Sequence, residues 1–161
     1  MKKIITVLLA SLFWAISNSA NAQTSDKAVL LNTYTIGSDR AAVKATRDLW
    51  SRVGDKKNEA WYKLPKGYLA TYKEEGVESR HIYDRKGYWM YSLMTYQEDH
   101  LPAEVRKGVK SIYYDYSIVW VKEVKEGEAD VYVVHVENNT EWKDLSVQDG
   151  EIKELRTFCK Q

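Results

Sequence analysis

The pattern of hydrophobic positions switches between a helical and a strand period, and it does so twice along the chain. The first helical stretch follows Ser38 or Asp39, either of which suits a helix N-cap, and it stops at Gly54. The second begins near Pro102, a residue favoured in a first helical turn. The apolar stripes, spaced at i, i+3 and i+4, are Ala42, Thr46, Leu49, Trp50 and Val53 in the first helix and Val105, Val109, Ile112 and Tyr113 in the second.

Short alternating runs follow each helical stretch, and turn residues separate them. Four runs follow the first helix: "NEAWYKL", "YLATYK", "VESRHIY" and "KGYWMYSLMTYQ". Four more follow the second: "SIVWVKEV", "DVYVVHVE", "EWKDLSV" and "EIKELRTF". The last pair is joined by Asp149 and Gly150, a strong hairpin signal. We therefore predict four antiparallel strands after each helix.

The two halves of the chain match when one is laid over the other. The Tyr68-x-Ala70-x-Tyr72 strand falls on residues 132–136, Gly87 falls on Gly150, and Leu49 falls on Ile112. The match predicts an α+β fold, a tandem repeat of a helix plus a four-stranded antiparallel meander, with the helices packed on one sheet face. The predicted organisation is a lead-in segment at 23–38, a first repeat at 39–97 and a second repeat at 98–161.

One predicted strand, within residues 86–97, is apolar on both sides of its alternation. Trp89, Tyr91 and Leu93 share one side, which we expect to line the core because Trp89 overlays Ile152. If several large side chains of the other side stayed in water, the fold would lose several kcal/mol of hydrophobic stabilisation, at roughly 25 cal/mol per Å2 of apolar surface. The second repeat, the lead-in segment or a partner must cover them. The candidate partner-binding residues are Tyr88, Met90, Met94 and Tyr96, joined by Leu69 from a neighbouring strand.

The first 22 residues have the features of a cleaved signal peptide. Lys2 and Lys3 precede an apolar run at 4–16, and Ala20-Asn21-Ala22 gives a small-x-small cleavage site. The apolar run is shorter than the roughly 20 residues that span a bilayer. We predict export to the periplasm or beyond it, with no membrane anchor after cleavage of residues 1–22.

Composition and charge narrow the class of partner. The 161-residue chain has a formal charge of +1, and loss of two lysines with the signal peptide leaves a mixed, near-neutral surface. Such a charge balance gives no electrostatic reason to expect nucleic acid or an anionic membrane as the partner. Cys159 is the single cysteine, so an internal disulfide is excluded, while pairing with another chain and the oligomeric state stay open.

Sequence patterns of catalytic and metal sites are missing. His81, His100 and His135 lack the spacing of a metal site such as HExxH. The sequence has no Gly-x-Ser-x-Gly motif and no glycine-rich phosphate loop, and its carboxylates fall in turns and on helix surfaces. We predict no catalytic residues, no metal and no cofactor.

A family resemblance rests on several of these stretches. They are the "Y-x-A-x-Y" strand at 68–72, "YDRKGYW" at 83–89, and "LPAEV" at 101–105, which opens a helix leading into "YYDYSI". On them the chain resembles the β-lactamase-inhibitor-like, PepSY-like proteins exported by Bacteroidota-type bacteria, over roughly residues 40–158. The resemblance implies tandem helix-plus-four-strand units in one concave sheet with the helices on its convex side, and it brings no catalytic residues.

These observations favour an exported, non-enzymatic binding or inhibitor-like module that recognises an envelope protein or peptide through an aromatic sheet face. Tyrosine and tryptophan far outnumber phenylalanine, at 12 and 6 against 2, as is common on half-buried recognition surfaces. The alternative is an envelope small-ligand carrier with a concave pocket. An uncharacterised enzyme is the least favoured.

Overall fold

A computed structural model of the chain describes residues 28–160, with the backbone alone at Thr33 and Tyr34. The predicted signal peptide at 1–22 lies outside the described residues. The helices are α1 (Thr33–Ser38), α2 (Arg40–Val53) and α3 (Ala103–Ile112), with a 3₁₀ turn at Glu98–His100. The strands are β1 (Val29–Leu31), β2 (Ala60–Leu64), β3 (Gly67–Glu74), β4 (Val77–Asp84), β5 (Trp89–Tyr96), β6 (Ser117–Glu126), β7 (Ala129–Glu137), β8 (Glu141–Gln148) and β9 (Glu151–Cys159).

All nine strands form one antiparallel sheet in which each strand pairs with its sequence neighbours, in the order β1 to β9. The pairing of β5 with β6, from Ser92 opposite Lys125 to Tyr96 opposite Val121, makes the sheet continuous across the middle of the chain. The predicted α+β class and antiparallel sheet are therefore confirmed. None of the helices within residues 28–160 has the length and apolar content needed to cross a bilayer.

The helix α2 begins where the sequence indicated, because Asp39 caps it and also ties it to the sheet. One carboxylate oxygen of Asp39 accepts the backbone N–H groups of Ala41 and Ala42. The other accepts the Lys63 ammonium at 2.9 Å and the Tyr68 hydroxyl at 2.7 Å. These hydrogen bonds, with that from Lys63 foremost, lower the pKa of Asp39 to about 2. The cap thus fixes the start of the helix and its position over β2 and β3.

Two core clusters lie on one face of the sheet, each beneath one helix. Ala42, Ala45 and Leu49 of α2 are buried in a cluster with Trp61 of β2 and Tyr83 of β4. In the other cluster, Val109 of α3 is buried among valines of β6, β7 and β8 and Leu145 of β8. Two predicted stripe residues lie outside this packing, since Trp50 and Ile112 are exposed. Leu49 is fully buried, whereas Ile112, its predicted counterpart in the second repeat, is exposed.

The predicted lead-in segment contains secondary structure of its own. Val29–Leu31 forms the edge strand β1 and pairs with Trp61 to Lys63 of β2. Asn32 then caps α1 through a capping box with Thr35. The polar composition of residues 23–38 hid these elements, because a three-residue strand and a six-residue helix are too short to show a period.

A β-bulge in β5 changes which of its side chains share a face. Tyr83 pairs with Trp89 and Ile82 pairs with Tyr91, so Met90 is the extra residue on β5. Trp89 therefore lies on the helix-covered side, whereas Tyr91 and Leu93 lie on the opposite side. The prediction that these three share one side beneath a helix is wrong, because simple alternation assumes an uninterrupted pleat.

Candidate functional site: the helix-free face of the sheet

The sheet face opposite α2 and α3, termed here the helix-free face, carries large apolar and aromatic side chains. Register assigns to it the row Tyr62, Leu69, Ile82 and Tyr91, whose members lie opposite one another on β2 to β5. All four are half-buried. Burial raises the pKa of the Tyr91 hydroxyl. None of these residues belongs to either core cluster.

The C-terminal half of this face holds an aromatic ladder, which we define as Trp120, His135, Trp142 and Phe158 on β6 to β9. The Trp120 and His135 rings stack with centroids 4.8 Å apart and an interplanar angle of 4°. His135 and Trp142 are 5.2 Å apart at 45°, and Trp142 stacks on Phe158 at 4.3 Å and 18°. The ladder arises because Trp120 pairs with His135, and Trp142 with Phe158, across adjacent strands.

Two carboxylates hold the imidazole of His135 within the ladder. Its Nδ1 lies 2.7 Å from Asp144 Oδ1, and its Nε2 lies 3.0 Å from Glu137 Oε1. Asp144 is buried and also receives Arg156 Nε at 3.2 Å. The Glu137 carboxylate accepts Lys160 Nζ at 2.8 Å, and the Lys160 and His135 contacts lower the pKa of Glu137. The ring thus has a fixed orientation, with both nitrogens facing acceptors.

The stacking determines which parts of the ladder a partner could reach. Ring faces within the ladder are occupied by neighbouring rings, so partners would meet mainly ring edges and the side chains around them. At the β6 end the Lys122 ammonium lies 5.1 Å from the Trp120 centroid. At the β9 end Phe158 is 49% exposed. The ladder is therefore a rigid, partly solvent-exposed aromatic surface bordered by charged groups.

The structure separates the five predicted partner-binding residues. Met94 packs against the core cluster beneath α3, and Tyr96 is only 5% exposed within that cluster. For these two residues the cover comes from the chain itself, which is one of the alternatives that the sequence left open, because the bulge at Met90 and the covering helix put them inside. Tyr88 and Met90 are exposed, by 58% and 47%, and the Lys44 ammonium lies over the Tyr88 ring. Leu69 lies on the helix-free face, beside Ile82 rather than beside Met94.

A serine–histidine pair beneath α2 has the contacts of a nucleophile and a base, but its burial argues for a structural role. Ser92 Oγ lies 2.8 Å from His81 Nδ1 and accepts a hydrogen bond from Trp89 Nε1. Both Ser92 and His81 are buried. Burial, and then the charge of Arg52, lower the pKa of His81 to about 4. An imidazole of that pKa is a weak base at neutral pH, and the burial of both side chains favours a structural role.

Metal-binding geometry is equally missing from the part of the chain that the structure covers. Within residues 28–160, no group of three or more histidine, cysteine, aspartate or glutamate side chains is arranged to hold a metal ion.

The ladder was not predicted, although the sequence holds a signal for it. In the sequence, His135 has only the residue type of a metal ligand, and Trp120 and Trp142 are ordinary residues of predicted strands. The three occupy neighbouring predicted strands, but their register depends on the extra residue at Val119, where the β6–β7 pairing shifts. Without knowledge of that bulge, alternation alone would not place Trp120 opposite His135.

Three solved structures from Bacteroides species are similar to this chain. A BLIP-like protein from Bacteroides fragilis has a TM-score of 0.56 at 18% identity, over 73% of this chain and 84% of its own. The chain has a BLIP-like fold. A DUF2874-family protein from Bacteroides uniformis gives 0.54 at 14% identity, over 72% and 87%. A Bacteroides eggerthii protein, provisionally described as periplasmic, gives 0.54 at 17% identity, over 72% and 86%.

These neighbours confirm, at the level of fold, the resemblance to β-lactamase-inhibitor-like proteins expected from the sequence. The Bacteroides eggerthii neighbour is described as periplasmic, which agrees with the export predicted for this chain. No family model matches the sequence, and no curated protein matches it.

Proposed function

We propose that this protein is an exported, non-enzymatic binding module that recognises an envelope protein or peptide through the helix-free face of its sheet. The observation that supports this most is the aromatic ladder, held rigid by stacking and by Asp144 and Glu137, on a face that neither α2 nor α3 covers. The partner would bury Phe158 and the half-buried row around Leu69.

The chemistry of this face suits a polypeptide partner. Tryptophan, tyrosine and arginine dominate the residues that contribute most to protein interfaces, and Trp120, Trp142, Tyr91 and Arg156 supply them here. Because the rings are already fixed, association would cost little side-chain entropy. Full burial of one exposed apolar side chain such as Phe158 contributes about 2 kcal/mol. Tyr88 and Met90, exposed at the start of β5, are further proposed contacts.

The alternatives have less support. A mostly apolar cleft between α3 and the β8–β9 hairpin measures about 110 Å3, below the roughly 300 Å3 at which ligand pockets begin. This size disfavours a small-ligand carrier using that cleft. For an enzyme, the Ser92–His81 pair has suitable contacts, but both residues are buried.

We also infer that the two helix-plus-four-strand units, at 40–96 and 103–159, are copies of one ancestral unit with the same direction of packing. In each unit the second of the four strands, β3 or β7, places alternate residues beneath the helix. These residues are Tyr68 and Ala70 in the first unit and Tyr132 and Val134 in the second. This correspondence supports the predicted repeat boundaries at 39–97 and 98–161.

A photo-crosslinking experiment tests the proposed face. Residues 23–161, with benzoylphenylalanine in place of Phe158 or Leu69, would be incubated with envelope extract and irradiated. A matched control carries the same group at Ile112, which is exposed on α3 on the other side of the sheet. We expect one protein to crosslink from positions 158 and 69 and not from 112.

A folded Trp142→Ala/Phe158→Ala variant should lose the same protein in affinity capture, with circular dichroism as the folding control. Equal crosslinking from Ile112, or retention of nothing above a mock column, would contradict the proposal. A small molecule released on denaturation of the natively purified protein would favour the carrier instead.

A further inference from the structure

A cleft opens between α3 and the β8–β9 hairpin, on the helix-covered side of the sheet. It measures about 110 Å3 and is mostly apolar. Tyr132 and Val147 are the buried residues of its lining. Val105 and Gly108 of α3 and Ile152 of β9 line it as well. This cleft is separate from the helix-free face.

The corresponding hairpin of the first half packs more closely on its helix. A methyl group on Gly87, in the β4–β5 turn, would overlap the backbone carbonyl of Ala41 in α2. A methyl group on Gly150, in the β8–β9 turn, would meet nothing within 4 Å. The first hairpin therefore touches its helix, whereas the second stands away from its helix and leaves the space open.

Gly108 keeps the cleft open from the helix side. Glycine is less favourable than alanine inside a helix, and Gly108 has no left-handed backbone that would require it. An added Cβ would lie 3.6 Å from Ile152 Cδ1, an ordinary van der Waals distance. The packing of α3 on the sheet would therefore accept alanine, and what glycine provides is a wider cleft.

The charged groups of the cleft have one sign. Glu104 and Asp149 are the charged residues of its lining. Both are exposed, and within residues 28–160 neither carboxylate forms an ion pair or a side-chain hydrogen bond. They are thus available to a cationic group placed beside the apolar space.

We propose that this cleft binds a polypeptide partner, taking one aliphatic side chain of about leucine size with a positive charge beside it. An apolar cavity of about 150 Å3 binds benzene, so one of about 110 Å3 fits a slightly smaller group. Tyr132, Val147 and Ile152 contact the aliphatic side chain, and Glu104 and Asp149 attract the cation. The site is a second interaction surface, independent of the helix-free face.

Methyl NMR with short peptides tests the site on the whole chain from residue 23. The probe is N-acetyl-leucyl-lysine amide. The comparison peptides are the leucyl-glutamate analogue, which reverses the charge, and the glycyl-lysine analogue, which lacks the aliphatic group. We expect saturable shifts of the Val105, Val147 and Ile152 methyl groups with the first peptide, at a roughly millimolar dissociation constant. Affinity should fall at least roughly threefold for either comparison peptide.

Variants separate the cleft from other surfaces. Gly108→Met fills the space and should abolish the shifts, whereas Lys107→Met, on the exposed side of the same helix, should retain them. Glu104→Gln/Asp149→Asn changes only exposed groups and should remove the preference for lysine over glutamate, which tests the site even if Gly108→Met fails to fold. Absence of saturable shifts in the wild type, or unchanged binding by a folded Gly108→Met variant, would overturn the proposal.

Discussion

The Tyr96 hydroxyl donates a 2.7 Å hydrogen bond to the buried carboxylate of Glu123, across the junction between β5 and β6. The other oxygen of Glu123 pairs with Lys125 Nζ at 3.0 Å. Burial, and then this carboxylate, raise the pKa of the Tyr96 hydroxyl well above its usual value. The contact lies where β1–β5 and β6–β9 become one sheet, so it stabilises their junction.

Replacing Tyr96 with phenylalanine should destabilise the protein by about 2 kcal/mol, because it removes a donor from a buried carboxylate. Urea unfolding followed by circular dichroism would measure the change in the free energy of unfolding. Tyr88→Phe is the matched control, since Tyr88 is exposed and its hydroxyl can be hydrated, and it should change stability little. Equal effects of the two substitutions would show that the junction hydrogen bond contributes nothing.

The burial of His81 should make the stability of the folded protein depend on pH. Its pKa is about 4 in the folded chain and near 6.5 in the unfolded chain. Between these values the unfolded state binds a proton that the folded state does not. The contribution of neutral His81 is therefore complete above pH 6.5 and is lost as the pH falls toward 4, by about 3 kcal/mol in total.

Urea midpoints between pH 7 and pH 4 would measure this loss of stability. His81→Gln should flatten the pH dependence, whatever its effect at pH 7. His100→Gln, at an exposed histidine, should leave the dependence as in the wild type. If the urea midpoint of His81→Gln fell with pH as steeply as that of the wild type, the pH dependence could not be assigned to His81.

Asp144 should be the residue on which the aromatic ladder depends most. Asp144→Asn removes the buried charge opposite His135 and Arg156, and we expect a loss of about 3 kcal/mol with a change in tryptophan fluorescence as Trp120 and Trp142 repack. Asp130→Asn, at an exposed position on β7, is the control. Unchanged fluorescence in a folded Asp144→Asn variant would indicate that stacking alone orders the ladder.

Gly87 and Gly150 provide a matched pair for the contact between hairpin and helix, because both have a φ of +76°. Alanine at either position takes the same left-handed backbone, at a cost of roughly 1–2 kcal/mol. Only at Gly87 would the new Cβ also overlap the Ala41 carbonyl. Thermal or urea unfolding should show Gly87→Ala to be less stable than Gly150→Ala by about 2 kcal/mol. Equal losses would mean that the first hairpin can move away from α2 freely.

Features set by local sequence were predictable. Asp39 and Gly54 bracket α2 because a side-chain cap and a helix stop need only neighbouring residues. Turn residues such as Asp149 and Gly150 separated the strands for the same reason. Leu69 was predicted to share a sheet face with the other four candidate residues. It lies on the helix-free face, but in a row with Ile82 and Tyr91.

The sequence by itself determined the helices, most strands and their antiparallel connection, since periodicity and turn chemistry act over a few residues. Only the tertiary structure decided that the halves join through β5 and β6, and that bulges at Met90 and Val119 redirect the side chains around them. A bulge of one residue reverses every later position of a strand, and its location depends on the partner strand. For that reason Met94 and Tyr96 became core, while Trp120 and His135 met in a ladder.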